Sequence, residues 1–110
     1  MTQSGTKRIL ERDLQPEIIK YLESKGAYVL KTHVSSFQKQ GEPDVTCCYM
    51  GRYIAFEIKR DEKEKARKLQ EYKMKCIRRA GGIAMRVDNI KQIEEVLNEV
   101  SGIQQGGKPK

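Results

Sequence analysis

Apolar side chains along this chain follow two rhythms, one helical and one alternating. Leu10, Leu14, Ile18, Tyr21 and Leu22 recur at steps of three and four, which predicts an amphipathic helix over Arg8–Lys25. Gly26 suits its C-cap. Pro16 removes a backbone donor, so it either kinks the helix or marks its true start. AYVLKTHV, DVTCCYM and RYIAFEIKR then read as three strands, with the loop VSSFQKQGEP between the first two. A turn at Gly51-Arg52 folds the second and third into a hairpin. In the third strand Ile54, Phe56 and Ile58 face one way, while Tyr53, Ala55, Glu57 and Lys59 face the other.

Helical spacing returns from Asp61 to Ala80, through Ala66, Leu69, Tyr72, Lys73, Cys76 and Ile77, and stops at Gly81-Gly82. GIAMRV predicts a short fourth strand. Asp88 or Asn89 caps a last helix that reaches about Val100, with Ile90, Ile93, Val96, Leu97 and Val100 as its stripe. The order is α-β-β-β-α-β-α. Strands one to three are expected antiparallel, and the crossover helix lets the fourth join in parallel. The fold class is therefore α/β, a mixed four-stranded sheet flanked by helices. Residues 8–100 form one domain between flexible ends at 1–7 and 101–110.

Composition narrows the partners. Only 37% of residues are apolar and 34% are charged, so the core is small and the surface ionic. The net charge of +7 favours phosphate polyanions through counterion release, with surplus charge for solubility as the plain alternative. No apolar run approaches the ~18 residues of a spanning helix, and MTQSGTKR lacks a signal-peptide core. Cys47, Cys48 and Cys76 form no Cys-x-x-Cys pair, and His33 is the single histidine. A zinc site or a Ser-His-Asp triad has too few parts. The cysteines read as small core residues in a reducing compartment, which fits a cytoplasmic location.

The chemistry concentrates in GEPDVTCCYMGRYIAFEIKR. The hairpin brings Asp44 near Glu57, and strand alternation puts Lys59 on the Glu57 face. Two carboxylates, the Ile58 carbonyl and a lysine suit Mg²⁺ or Mn²⁺ and an activated water. Lys59 would orient that water and offset charge developing on a phosphate. Singly these residues are ordinary: Asp44 can be a turn residue and Glu57-x-Lys59 a solvated strand face. Their conjunction points to metal-dependent cleavage of nucleic acid.

Glu11 adds an acid in the first helix. At ~100° per residue it falls between Ile18 and Leu22, in the middle of the apolar stripe. A carboxylate there is costly unless paired or metal-bound. If Pro16 breaks the helix, Glu11 lies in an exposed leading turn, and Glu17 at the stripe edge is the alternative acid. Gln15 shares the Glu11 face. Gln70 either reaches the site, on a phosphate or water, or is a surface glutamine. Arg52 at the hairpin tip and the basic residues of the second helix are candidate phosphate contacts.

At these positions the chain resembles the PD-(D/E)XK nuclease superfamily, and more narrowly the VRR-NUC (virus-type replication-repair nuclease) family. The likeness spans about residues 8–97. It runs through Glu11 with Gln15, Tyr-Leu-x-x-x-Gly at 21–26, Gly-x-Pro-Asp at 41–44 and Gly-Arg at 51–52. It continues through Glu-x-Lys-Arg at 57–60, Gln70 and Ala-Gly-Gly at 80–82. Glu42 departs from it, since an apolar residue is more usual there. The resemblance implies a restriction-endonuclease-like core and Mg²⁺- or Mn²⁺-dependent cleavage of DNA, with Glu11, Asp44, Glu57 and Lys59 in the site. Small stand-alone members resemble phage proteins that dimerise on branched DNA such as four-way junctions. For this chain that implies a homodimer, in the host cytoplasm if it is phage-encoded. The competing expectations are a non-catalytic nucleic-acid-binding module and a protein-interaction domain of the replication machinery.

Overall fold

The computed structural model describes residues 11–31, 42–60 and 64–106, excluding the side chains of 11–13, 31 and 103–106. Seven elements follow one another: α1 (Glu11–Ser24), β1 (Tyr28–Lys31), β2 (Val45–Tyr49), β3 (Arg52–Ile58), α2 (Glu64–Arg79), β4 (Ile83–Val87) and α3 (Ile90–Gly106). The strands form one sheet in the order β1-β2-β3-β4. β1, β2 and β3 pair antiparallel, and β4 joins β3 in parallel. Among the described residues this is a mixed α/β fold with three helices. Among the described residues no helix is long and apolar enough to cross a membrane.

Alternation in β3 divides the interior into two layers. Ile54, Phe56 and Ile58 face a core with Leu14, Ile18 and Leu22 of α1 and Ile93, Leu97 and Val100 of α3. Each such side chain, once buried, contributes about 1.5–3 kcal/mol. Ala55 faces the other way, onto Ala84 of β4 and Met74 of α2. Small residues on that face let α2 lie close over β3 and β4. The same face of β1 and β2 is more open, with Tyr28, Leu30 and Cys48 exposed.

Pro16 lies inside α1, and the helix runs through it. The burial of Leu14, Ile18 and Leu22 on either side outweighs one missing hydrogen bond. The segment 8–10, expected to begin this helix, lies outside the described residues, as do 32–41 and 61–63. α1 closes at Gly26, with the Ala27 N–H bonded to the Leu22 carbonyl (3.0 Å).

The hairpin turn is one residue earlier than expected. Tyr49 pairs with Arg52, so Met50 and Gly51 form the two-residue loop instead of Gly51 and Arg52. Both have positive φ, 50° and 80°, as a type I′ turn needs to match the strand twist. α2 closes with the Gly82 N–H on the Ile77 carbonyl (2.9 Å) and the Gly81 N–H on the Arg78 carbonyl (3.0 Å). A Cβ on Gly82 would meet Ile77 at 2.9 Å and the Tyr53 carbonyl at 3.1 Å, so a side chain there pushes α2 away from β3.

Asn89, not Asp88, caps α3. Its Oδ1 accepts the Gln92 N–H (3.0 Å), and Gln92 Oε1 accepts the Asn89 N–H (3.3 Å), a reciprocal capping box. α3 also runs to Gly106, so 101–106 belong to a helix and not to the loose end expected at 101–110. Propagating an existing helix adds one hydrogen bond per residue fixed, which carries the chain past Gly102.

Candidate active site at the ends of β2 and β3

Antiparallel pairing matches Val45 to Phe56. One step further, that register sets Asp44 opposite Glu57, on the α2 face. Asp44 turns back onto the neighbouring strand. Its Oδ2 accepts the Ile58 N–H at 2.9 Å. The N–H and C=O of one strand residue face the same neighbour, so the Ile58 carbonyl also faces the Asp44 side. From α1, Gln15 Nε2 donates to the Asp44 backbone carbonyl at 2.9 Å. On the other flank, Lys73 of α2 donates to Glu42 Oε2 at 3.0 Å. Glu42 thus helps hold the segment that delivers Asp44.

Glu57 is only 2% exposed. Burying a carboxylate is costly unless a cation or hydrogen bonds offset the lost water. Arg60 supplies one cation. Its Nη1 lies 3.5 Å from Glu57 Oε2 and its Nη2 lies 3.1 Å from Asp44 Oδ2. One guanidinium therefore spans both acids. The second Glu57 oxygen, Oε1, is sealed from water and makes no hydrogen bond of its own. Parallel pairing sets Arg86 of β4 beside Glu57. Arg86 Nη1 donates to Gln70 Oε1 at 3.1 Å, and Gln70, 8% exposed, lies between α2 and the sheet. Gln70 is thus a buried residue tied to the Glu57 neighbourhood, not a surface glutamine.

Lys59 follows β3 directly. Its N–H bonds the Val87 carbonyl at 2.8 Å, and its Nζ lies 3.9 Å from Asp88 Oδ2. Alternation was expected to put Lys59 on the Glu57 face; its ammonium makes a loose contact with Asp88. The ammonium is about half exposed, so this pair holds it weakly. Glu11 is the first residue of α1, one turn before Gln15, and its side chain lies outside the described residues. Glu17, the alternative acid, is exposed.

Arg52 is not brought to the carboxylates. It opens β3 five residues before Glu57, about 17 Å away at strand rise, and its Nε donates to the Gly81 carbonyl at 3.1 Å. Of the basic residues on α2, Lys73 binds Glu42, Lys68 lies 3.6 Å from Glu64, and Arg78 donates to the Ala84 carbonyl at 2.8 Å. These contacts belong to the fold more than to a phosphate track.

Among the described residues no three His, Cys, Asp or Glu side chains gather as a metal-binding group. The two carboxylates share Arg60, and the Ile58 carbonyl faces the Asp44 side, so the donors at hand are all hard oxygen. Mg²⁺ commonly binds through one or two carboxylates and keeps its waters, so this donor set fits it. Comparison with protein-family models and with curated proteins returns no match.

Proposed function

We propose that this chain is a divalent-metal-dependent endonuclease that hydrolyses DNA phosphodiester bonds. The observation that carries the reading is the meeting of Asp44, just before β2, and Glu57 of β3 within 3.5 Å of one guanidinium. Two acids bridged by an arginine, on a chain of net charge +7, suit a site that takes a cation and a phosphate polyanion. The motif resemblance adds its weight, and it extends the proposal to branched DNA and a homodimer. A two-fold dimer would present two sites to opposite strands.

Asp44, Glu57 and the Ile58 carbonyl would hold Mg²⁺ or Mn²⁺, with Glu11 as a further ligand. A cation bound there supplies a water of lowered pKa and offsets charge on the scissile phosphate. The Ile58 N–H fixes one Asp44 oxygen and Gln15 fixes the Asp44 backbone, so the ligand is aimed before anything binds. Lys59 would turn from Asp88 to the attacking water or the phosphate. An exposed ion pair is worth about 0–1 kcal/mol, so that release is cheap beside the gain from an ammonium aimed at developing charge. Arg86, positioned by Gln70, lies beside Glu57 and would meet a phosphate oxygen.

A second reading, a non-catalytic nucleic-acid-binding module, draws on the Arg60 bridge, which ties the two acids together without a metal. Asp44→Asn separates the two. An endonuclease loses cleavage and keeps its affinity for DNA; a binding module shows no cleavage at all, and any loss from Asp44→Asn falls on affinity. A salt titration of binding then reports whether phosphates carry that affinity.

A further inference from the structure

We propose that Arg60 is a built-in place-holder for the metal. Its guanidinium bridges the Asp44–Glu57 pair and offsets part of its charge until a divalent cation displaces it. The inference rests on the nuclease reading above and concerns how that site is kept ready. The geometry is direct. Nη2 lies 3.1 Å from Asp44 Oδ2 and Nη1 lies 3.5 Å from Glu57 Oε2, so the two acids share one planar cation. Glu57 is almost wholly buried, and two acids brought together there repel each other unless positive charge stands between them. A guanidinium offers two parallel donors and matches paired carboxylates better than an ammonium. Arg60 itself retains some exposure, with 26% of its side chain open to solvent, so it has room to leave.

Arg60 also sits where it can move. β3 ends at Ile58, and Arg60 follows outside any helix or strand. It reaches Glu57 from three residues on, which strict strand alternation would not allow. The bridge is therefore made by a residue beyond the sheet, whereas the acids are fixed by the hairpin. A cation that takes Asp44 Oδ2 and Glu57 Oε2 must break the Arg60 contacts. At those two oxygens metal and guanidinium compete, and the apparent metal affinity of the wild-type chain then carries the cost of that displacement.

The test is Mn²⁺ titration by calorimetry on wild type, Arg60→Gln and Arg60→Lys, with the thermal midpoint recorded with and without Mn²⁺. Arg60→Gln should bind Mn²⁺ about tenfold more tightly than wild type, the scale set by losing one charge-assisted contact. Its metal-free Tm should fall, and Mn²⁺ should raise that Tm more than it raises the wild-type value. Arg60→Lys should lie between, which keeps the test decisive if the Gln variant does not fold without metal. Mn²⁺ affinity equal to or weaker than wild type in both variants overturns the place-holder, while wild-type binding leaves the nuclease reading standing. Absence of Mn²⁺ binding by the wild-type chain overturns both.

Discussion

Asp44 Oδ2 accepts the Ile58 backbone N–H at 2.9 Å, so one acid at the start of β2 ties down the last residue of β3. The carboxylate does two jobs at once. It replaces a ladder bond where the two strands part, and it stands beside Glu57. These jobs separate by mutation. Asp44→Ala removes the acceptor of the Ile58 N–H and one partner of Arg60, and should cost about 1–3 kcal/mol. Asp44→Asn keeps an amide oxygen for that N–H and should cost clearly less, although it removes the charge. Urea midpoints of the two variants read the difference; equal midpoints would deny Asp44 its structural part.

Lys59 is expected to behave in the opposite way. Its Nζ is 3.9 Å from Asp88 Oδ2 and about half exposed. Lys59→Met should change stability by less than about 1 kcal/mol. If Lys59 serves charge developing in the reaction, the same variant should lower kcat by a hundredfold or more, the scale of one lost electrostatic donor. Cleavage at the wild-type rate by Lys59→Met would remove Lys59 from the site.

The adjacent thiols should differ in reactivity and pH response. Cys47 is buried in the core between the sheet and α1, and burial pushes its thiol up to about 12, with Cys48 adding to the effect. Cys48 and Cys76 are exposed. Iodoacetamide at pH 8 should modify Cys48 and Cys76 in the folded chain and reach Cys47 only on unfolding. The sign of the linkage follows from the raised value. The folded thiol keeps its proton while the unfolded one, near 9, loses it. Cys47's contribution to stability is therefore complete below pH 9 and declines as pH rises toward 12, by up to about 1.4 kcal/mol per pH unit. Cys47→Val should flatten that alkaline decline. A decline unchanged in Cys47→Val would assign it to other groups.

Much of the fold was legible because burial dictates period. Ile54, Phe56 and Ile58 against Ala55 and Glu57, and Ile93, Leu97 and Val100 along α3, could be read directly from spacing. The hairpin was legible, but its register was not. A turn at Gly51-Arg52 would have set Asp44 opposite Lys59. The observed loop at Met50-Gly51 sets it opposite Glu57 instead. Both registers keep Asp44 on the same sheet face, because they differ by two residues. That is why the pairing of Asp44 with Glu57 could be anticipated from a turn one residue out of place.

Arg60, Arg86 and Asp88 were harder to see. Alternation places Arg60 away from Glu57; only the end of β3 at Ile58 frees it to bridge back. Arg86 meets Glu57, and Asp88 meets Lys59, through the parallel pairing of β3 with β4. That pairing joins residues almost thirty positions apart, and no local pattern in GIAMRV fixes its register. Arg52, expected at the hairpin tip as a phosphate contact, opens β3 at the far end from the acids and donates to the Gly81 carbonyl. Glu11 still rests on its helical position, one turn before Gln15.

The central claim meets its most direct test in an incubation of the purified chain with end-labelled four-way junction, flap and linear duplex DNA, each with Mg²⁺, Mn²⁺ or EDTA. The account predicts defined cleavage products with either metal, most from the junction, none in EDTA and none from Asp44→Asn or Glu57→Gln. Intact DNA in every lane from a folded, DNA-binding wild-type chain, or cleavage that persists in EDTA, would contradict it.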